Sequence, residues 1–133
     1  MIALDTNVLV RLLVADEPRQ HAQAEQLLVD SMEAGEACFL SDPVLCELAW
    51  VLESCYDASR ADILAALRDL LSRDLVVFSD RAVIREAVER YRHGKAGFAD
   101  YLIGALGRIQ GARATYTFDR SLLNQEGFAW IAG

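Results

Sequence analysis

Met1-Ile2-Ala3-Leu4-Asp5-Thr6-Asn7-Val8-Leu9-Val10 opens the chain and decides how the rest is read. Ile2 to Asp5 has the pattern of a short β-strand, and Val8 to Val14 that of a short helix. Asp5 therefore stands where the chain turns from strand to helix. Four more β-type runs follow, at Ala37 to Leu40, Leu75 to Phe78, Ala114 to Phe118 and Phe128 to Ile131, with helical patterns between them. Strands alternating with helices predict an α/β fold with a mainly parallel five-stranded sheet, helices on both faces and right-handed crossovers. No linker, repeat or low-complexity segment divides residues 1–133, so one domain is expected.

The helix punctuation supports this layout. Pro18 starts a helix running to about Ala34, making the first crossover a helical hairpin, and Asp42-Pro43 offers a cap followed by a helix-starting proline. Ser59-Arg60-Ala61-Asp62 has the form of a capping box opening a helix through Leu71. Ser79-Asp80 can cap the next helix, which His93-Gly94 ends.

A chain of 133 residues can bury a sizeable core without staples. Cys38, Cys46 and Cys55 are an odd set without CxxC spacing in apolar stretches, which indicates neither disulfides nor zinc. No apolar run approaches the ~20 residues of a membrane span, and the start lacks a signal peptide's basic region, so a cytoplasmic protein is expected. A net charge of −7 counts against a surface that embraces phosphate backbones all round. Lys95 is the sole lysine beside twelve arginines, a bias that suits bidentate phosphate contacts but equally reflects a GC-rich coding sequence.

Among the 20 acidic residues, four occupy positions where a purely solvent-facing role is unexpected. Asp5 lies at the carboxyl edge of the first strand, as a site residue or as the N-cap of the next helix. Glu47 has Pro43, Val44, Trp50 and Val51 as helical neighbours, an apolar face on which a glutamate either reaches a site or pairs with an arginine. Asp100 shares its helix with Gly97, Gly104 and Gly107, which either leave room for a ligand or let helix and sheet pack closely. Asp119 repeats Asp5's placement at the end of a parallel strand, and ligands of open α/β sheets bind beyond those carboxyl ends.

Carboxylates gathered together repel, and a divalent cation removes that penalty. Hard oxygen ligands, with only His21 and His93 as histidines, select Mg²⁺ or Mn²⁺ over zinc. Such an ion keeps open positions for phosphate oxygens, so phosphoryl chemistry follows. Thr6, Asn7 and Thr117 border this candidate site and can orient a ligand, water or phosphate.

The opening Met1 to Val10, Val44-Leu45-Cys46-Glu47-Leu48, Phe98-Ala99-Asp100-Tyr101-Leu102-Ile103 and Thr115-Tyr116-Thr117-Phe118-Asp119 together resemble PIN-domain proteins, specifically toxins of the VapC type. The resemblance runs the length of the chain with the motifs in order. It implies a three-layer α/β/α PIN fold, Mg²⁺- or Mn²⁺-dependent endoribonuclease activity, homodimerisation and inhibition by a VapB-type antitoxin. The family's acids map onto Asp5, Glu47, Asp100 and Asp119. Members often carry a further acid or asparagine shortly after the last motif, where this chain reads Asp119-Arg120-Ser121, so no fifth ligand is expected. RNA contact would then fall to local cations, with Arg11, Arg90, Arg92, His93, Lys95, Arg113 and Arg120 as candidates. The hairpin Val8 to Ala34 resembles the region that receives the antitoxin, although Leu9, Leu12, Leu13, Leu27 and Leu28 also suit ordinary core.

Two other readings remain. A receiver-like or aspartate-phosphatase Mg²⁺ domain also places an acidic site after a strand, but the phosphatase pattern requires an acid where this chain has Asn7. A catalytically inactive PIN-like interaction module is the second, against which stands the presence of all four acids.

Overall fold

The computed structural model describes residues 1–131 and contains six α-helices and five short strands among them. The chain folds as two compact units, Met1–Arg81 and the segment from Ala82 onward. All strand pairing among the described residues is parallel, in two sets ordered β1-β2-β3 and β4-β5. The α/β class expected from the sequence is therefore present. Each strand is only two or three residues long and carries few ladder bonds, and the five are joined as a set of three and a set of two.

In the first unit, β1 (Ile2–Ala3), β2 (Cys38–Leu40) and β3 (Val76–Phe78) pair side by side, with Ile2 opposite Cys38 and Cys38 opposite Val76. Between them run α1 (Thr6–Leu13), α2 (Pro18–Glu33), α3 (Asp42–Tyr56) and α4 (Arg60–Leu71). Leu4, Leu9, Leu40, Leu45, Leu48 and Ile63 are buried at the helical and strand periods the sequence sets out. Of the hairpin leucines, Leu9 is core, whereas Leu13 and Leu27 are exposed.

Local chemistry sets the helix ends. Ser59 and Asp62 form the expected capping box, each side chain accepting from the other's backbone N–H. The start of α3 differs from expectation: Ser41, not Asp42, is the N-cap, its Oγ accepting from Val44 N at 3.4 Å. Asp42 instead occupies the first turn, where its charge favours the helix dipole and its Oδ1 accepts from Ser79 Oγ at 2.6 Å. Asp57 closes α3 in the left-handed region at φ 53°, a conformation aspartate tolerates better than most residues. Arg81 donates to Leu71 O at 2.6 Å and to Val76 O while lying 4.8 Å from the Phe78 ring, tying the end of α4 to β3.

The second unit is built on α5 (Arg81–His93), α6 (Phe98–Ile109), β4 (Thr115–Thr117) and β5 (Phe128–Trp130), with a 3₁₀ turn at Arg120–Leu122 between the strands. Phe98, Tyr101, Leu102 and Ala105 recur at helical spacing and are all buried, fixing which way α6 faces. Tyr91 packs edge-on against Phe98, and Tyr101 against Phe128, each pair with ring centroids 6.4 Å apart. Such pairs contribute about 0.5–1.5 kcal/mol beyond area burial. A Cβ at Gly94 would lie 1.7 Å from the Tyr101 hydroxyl oxygen, so this turn must be bare for the tyrosine to seat.

Candidate active site

Three of the four singled-out acids stand at helix starts and spend one carboxylate oxygen there. Asp5 is the N-cap of α1, and its Oδ1 accepts from Thr6 N at 2.7 Å. Asp100, in the first turn of α6, reaches back so that its Oδ2 accepts from Gly97 N at 3.0 Å. Asp119 is the N-cap of the 3₁₀ turn, its Oδ1 accepting from Ser121 N at 2.9 Å and Ser121 Oγ at 2.7 Å. In each case the cap role and the site role are compatible. One oxygen anchors the carboxylate and the other accepts no hydrogen bond among the described residues.

The two acids of the second unit act on each other. Burial pushes the Asp100 carboxyl above the ordinary aspartate value of 3.8, the Gly97 bond opposes this, and the negative charge of Asp119 adds to the rise. Asp119 is exposed, and its two hydrogen bonds from Ser121 hold its carboxyl below the ordinary value. Deprotonated together, the pair concentrates negative charge at one edge of the unit, the condition a cation relieves. Mg²⁺ is commonly held by one or two carboxylates while keeping its waters, so this donor set fits it. Within neither unit do three His, Cys, Asp or Glu side chains among the described residues group as a complete metal cage.

In the first unit Asp5 is exposed, and the neighbouring Thr6 Oγ1 is buried without a hydrogen-bond partner among the described residues. Such an orphaned hydroxyl calls for a partner. Asn7 is exposed one residue further on. Glu47 sits in the middle of α3, exposed, with no ion pair or hydrogen bond among the described residues, so the arginine-pair reading does not hold. Its supposedly apolar face is partly open, for Pro43 is exposed and Trp50 is 64% exposed.

Thr117 Oγ1 accepts from Asp119 N at 3.0 Å and so helps to shape the turn that presents the aspartate. Ser121 is the residue that reading the sequence missed. The signal was present, since a hydroxyl two positions after an aspartate at a strand end can satisfy its carboxylate locally. The glycines of α6 answer to packing: a Cβ at Gly104 would come within 2.5 Å of the Phe128 ring, and one at Gly107 within 3.2 Å of Thr115 Oγ1. Several candidate RNA-contacting cations are engaged within their own unit. Arg11 binds Gln20, Asp16 and Tyr56, Arg92 pairs with Glu89, and Arg120 lies 5.6 Å from the Trp130 ring centroid.

Parallel strands, helical crossovers and carboxylates anchored where strands give way to helices define a class of α/β proteins with acidic sites. The PIN domain family model matches residues 2–126, and the chain belongs to that family. It is similar to a VapC ribonuclease of Aquifex aeolicus (strain VF5), 29% identical over 120 residues that cover 90% of this chain and 88% of that one. The crystal structure of Mycobacterium tuberculosis VapC20, described as a toxin that cleaves the sarcin-ricin loop, aligns over 93% of this chain and 95% of that one. Identity there is 20% and the TM-score 0.45. No helix among the described residues is long and apolar enough to cross a membrane.

Proposed function

We propose that this chain is a VapC-type toxin: one cytoplasmic PIN domain, acting as a homodimer, that hydrolyses RNA phosphodiester bonds with Mg²⁺ or Mn²⁺ and is inhibited by a VapB-type antitoxin. Membership of the PIN family and the similarity to a VapC ribonuclease support the reaction class. The observation that carries the reading is the Asp100 and Asp119 pair, each aspartate anchored through one oxygen and charge-coupled to the other.

In this reading Asp5, Glu47, Asp100 and Asp119 are the metal-holding acids. A divalent ion held by carboxylates supplies Lewis-acid charge for the phosphate and a bound water of lowered pKa. The chain's own contribution is orientation. Gly97 N–H fixes Asp100, Ser121 fixes Asp119, and the Thr6 N–H fixes Asp5. Thr6 Oγ1 and Asn7 orient a water or phosphate oxygen beside Asp5. The negative charge also explains the inhibitor expected, since an antitoxin arginine entering the acids replaces the charge of the metal. The exposed Leu13, Leu27, Val29 and Met32 of the helical hairpin give that antitoxin an apolar surface to cover.

The test is cleavage of structured RNA by the purified chain with Mg²⁺ or Mn²⁺, together with growth on expression. Cleavage stopped by EDTA, and growth arrest relieved by co-expression of the antitoxin, are the expected results. Cleavage that persists in EDTA, or harmless expression of active protein, contradicts the reading.

A further inference from the structure

A cleft opens at the amino-terminal edge of β4 and β5, at the opposite end of β4 from Asp119. Its walls come from α5, α6 and the strand starts, through Glu86, Arg90, Arg108, Arg113, Thr115 and Gly127. Three arginines and a single acidic residue thus line it, in a chain whose formal net charge is −7. Glu86 is taken up by Arg108. Arg90 and Arg113 instead donate to neutral oxygens: Arg90 Nη2 to Glu126 O at 2.7 Å, and Arg113 Nη2 to the Tyr116 hydroxyl at 2.9 Å.

We propose that this cleft is a phosphate-binding site separate from the acidic site. Each guanidinium offers five N–H donors in a planar fork that matches phosphate oxygens, so Arg90 and Arg113 retain donors beyond those already spent. Both are held in place before any ligand arrives. The Arg90 guanidinium lies 5.3 Å from the Tyr101 ring centroid and 5.6 Å from that of Phe128, and Arg113 lies 5.7 Å from the Tyr116 ring centroid. Stacked, pre-ordered arginines lose little freedom on binding.

Size and backbone restrict the ligand. The cleft holds about 50 Å³, room for a few waters or one compact tetrahedral anion and too little for a nucleobase. Gly127, at φ +84°, takes the chain past Arg90 Nη1 in a conformation that most side chains disfavour. The shared chemistry is a phosphate group, supplied either by an RNA backbone or by free phosphate.

The test is titration of the full chain in EDTA with inorganic phosphate and, separately, with a ribodinucleotide carrying one phosphodiester, read by the NMR signals of arginine Nε–H groups and by calorimetry. Both Arg90 and Arg113 signals are expected to move. Arg113→Gln should weaken binding roughly ten-fold, the scale of one lost charge-assisted hydrogen bond, and Arg108→Gln should weaken it too. Tighter binding of the dinucleotide identifies the RNA backbone as the source, and tighter binding of inorganic phosphate identifies the free anion. Unmoved arginine signals, or wild-type affinity in folded Arg113→Gln, overturn the proposal. Because the titration needs neither metal nor cleavage, an empty cleft and an inactive nuclease are distinguishable failures.

Discussion

Asp100 and Asp119 are coupled through charge while being fixed by different neighbours, Asp100 by the Gly97 N–H and Asp119 by Ser121. Burial is the larger reason that the Asp100 carboxyl stands above 3.8, and Asp119 adds to it. Ser121 keeps Asp119 charged to lower pH. The two acids therefore lose their charges at different points of an acid titration, Asp100 first.

Acidification should reach Asp100 before an ordinary aspartate would be affected. Cleavage and Mn²⁺ affinity are expected to fall as pH drops through the raised Asp100 value, because a protonated carboxyl is a poor ligand. The stability sign is the opposite. A carboxyl raised on folding stabilises the fold below its unfolded value and loses that contribution as pH rises through its folded value. Metal-free Asp100→Asn should accordingly melt at a higher temperature than wild type at neutral pH, and an unchanged or lower Tm would contradict the burial of this charge.

Ser121→Ala removes the hydroxyl's hydrogen bond to Asp119 Oδ1 and leaves the one donated by the backbone N–H of residue 121. The Asp119 carboxyl should then titrate closer to 3.8, which carbon-detected NMR measures at the residue. Asp119's charge contributes stability above its unfolded value that is lost as pH falls through its lowered folded value, so the variant should lose that contribution at a higher pH. An Asp119 titration identical to wild type would remove Ser121 from the site.

Gly104→Ala tests the packing reading of the α6 glycines. Alanine gains about 1 kcal/mol of helix propensity over glycine, but overpacking a tight contact costs about 1–3 kcal/mol. With a Cβ only 2.5 Å from the Phe128 ring, the second effect should win and the Tm should fall. A higher Tm would mean that Phe128 moves aside freely.

Ser59→Ala should cost about 1 kcal/mol in denaturant unfolding, the usual scale for a lost N-cap. Its partner Asp62 would keep its charge at the helix start, so the loss should fall short of abolishing α4.

The elements were legible where local chemistry is decisive. Ser59 and Asp62 announce α4, and all five β-type runs contain a strand, each trimmed by one or two residues, although Leu4, Ala37, Leu75 and Ile131 just outside the strands still bond across to the neighbouring strand. Asp5 and Asp119 were readable from position alone, as carboxylates just past strand ends. Ser41 was not, because Ser41-Asp42-Pro43 offers two adjacent capping residues and only the bond to Val44 N distinguishes them. The face around Glu47 is less apolar than the sequence implies, because Trp50 counts as apolar in sequence yet stands exposed. The role of Ser121 depends on turn geometry that a pattern of residue types does not fix.

The central claim is that these acids serve metal-dependent RNA cleavage, and single-turnover cleavage of a structured RNA with Mn²⁺ tests it most directly. Wild type would be compared with Asp5→Asn, Glu47→Gln, Asp100→Asn and Asp119→Asn, each checked for an unchanged fold by circular dichroism. Every variant should be slower by on the order of 100-fold or more, since losing even an outer-shell partner of a metal ligand costs roughly 10–100-fold. Wild-type rates in folded Asp100→Asn and Asp119→Asn would contradict the account.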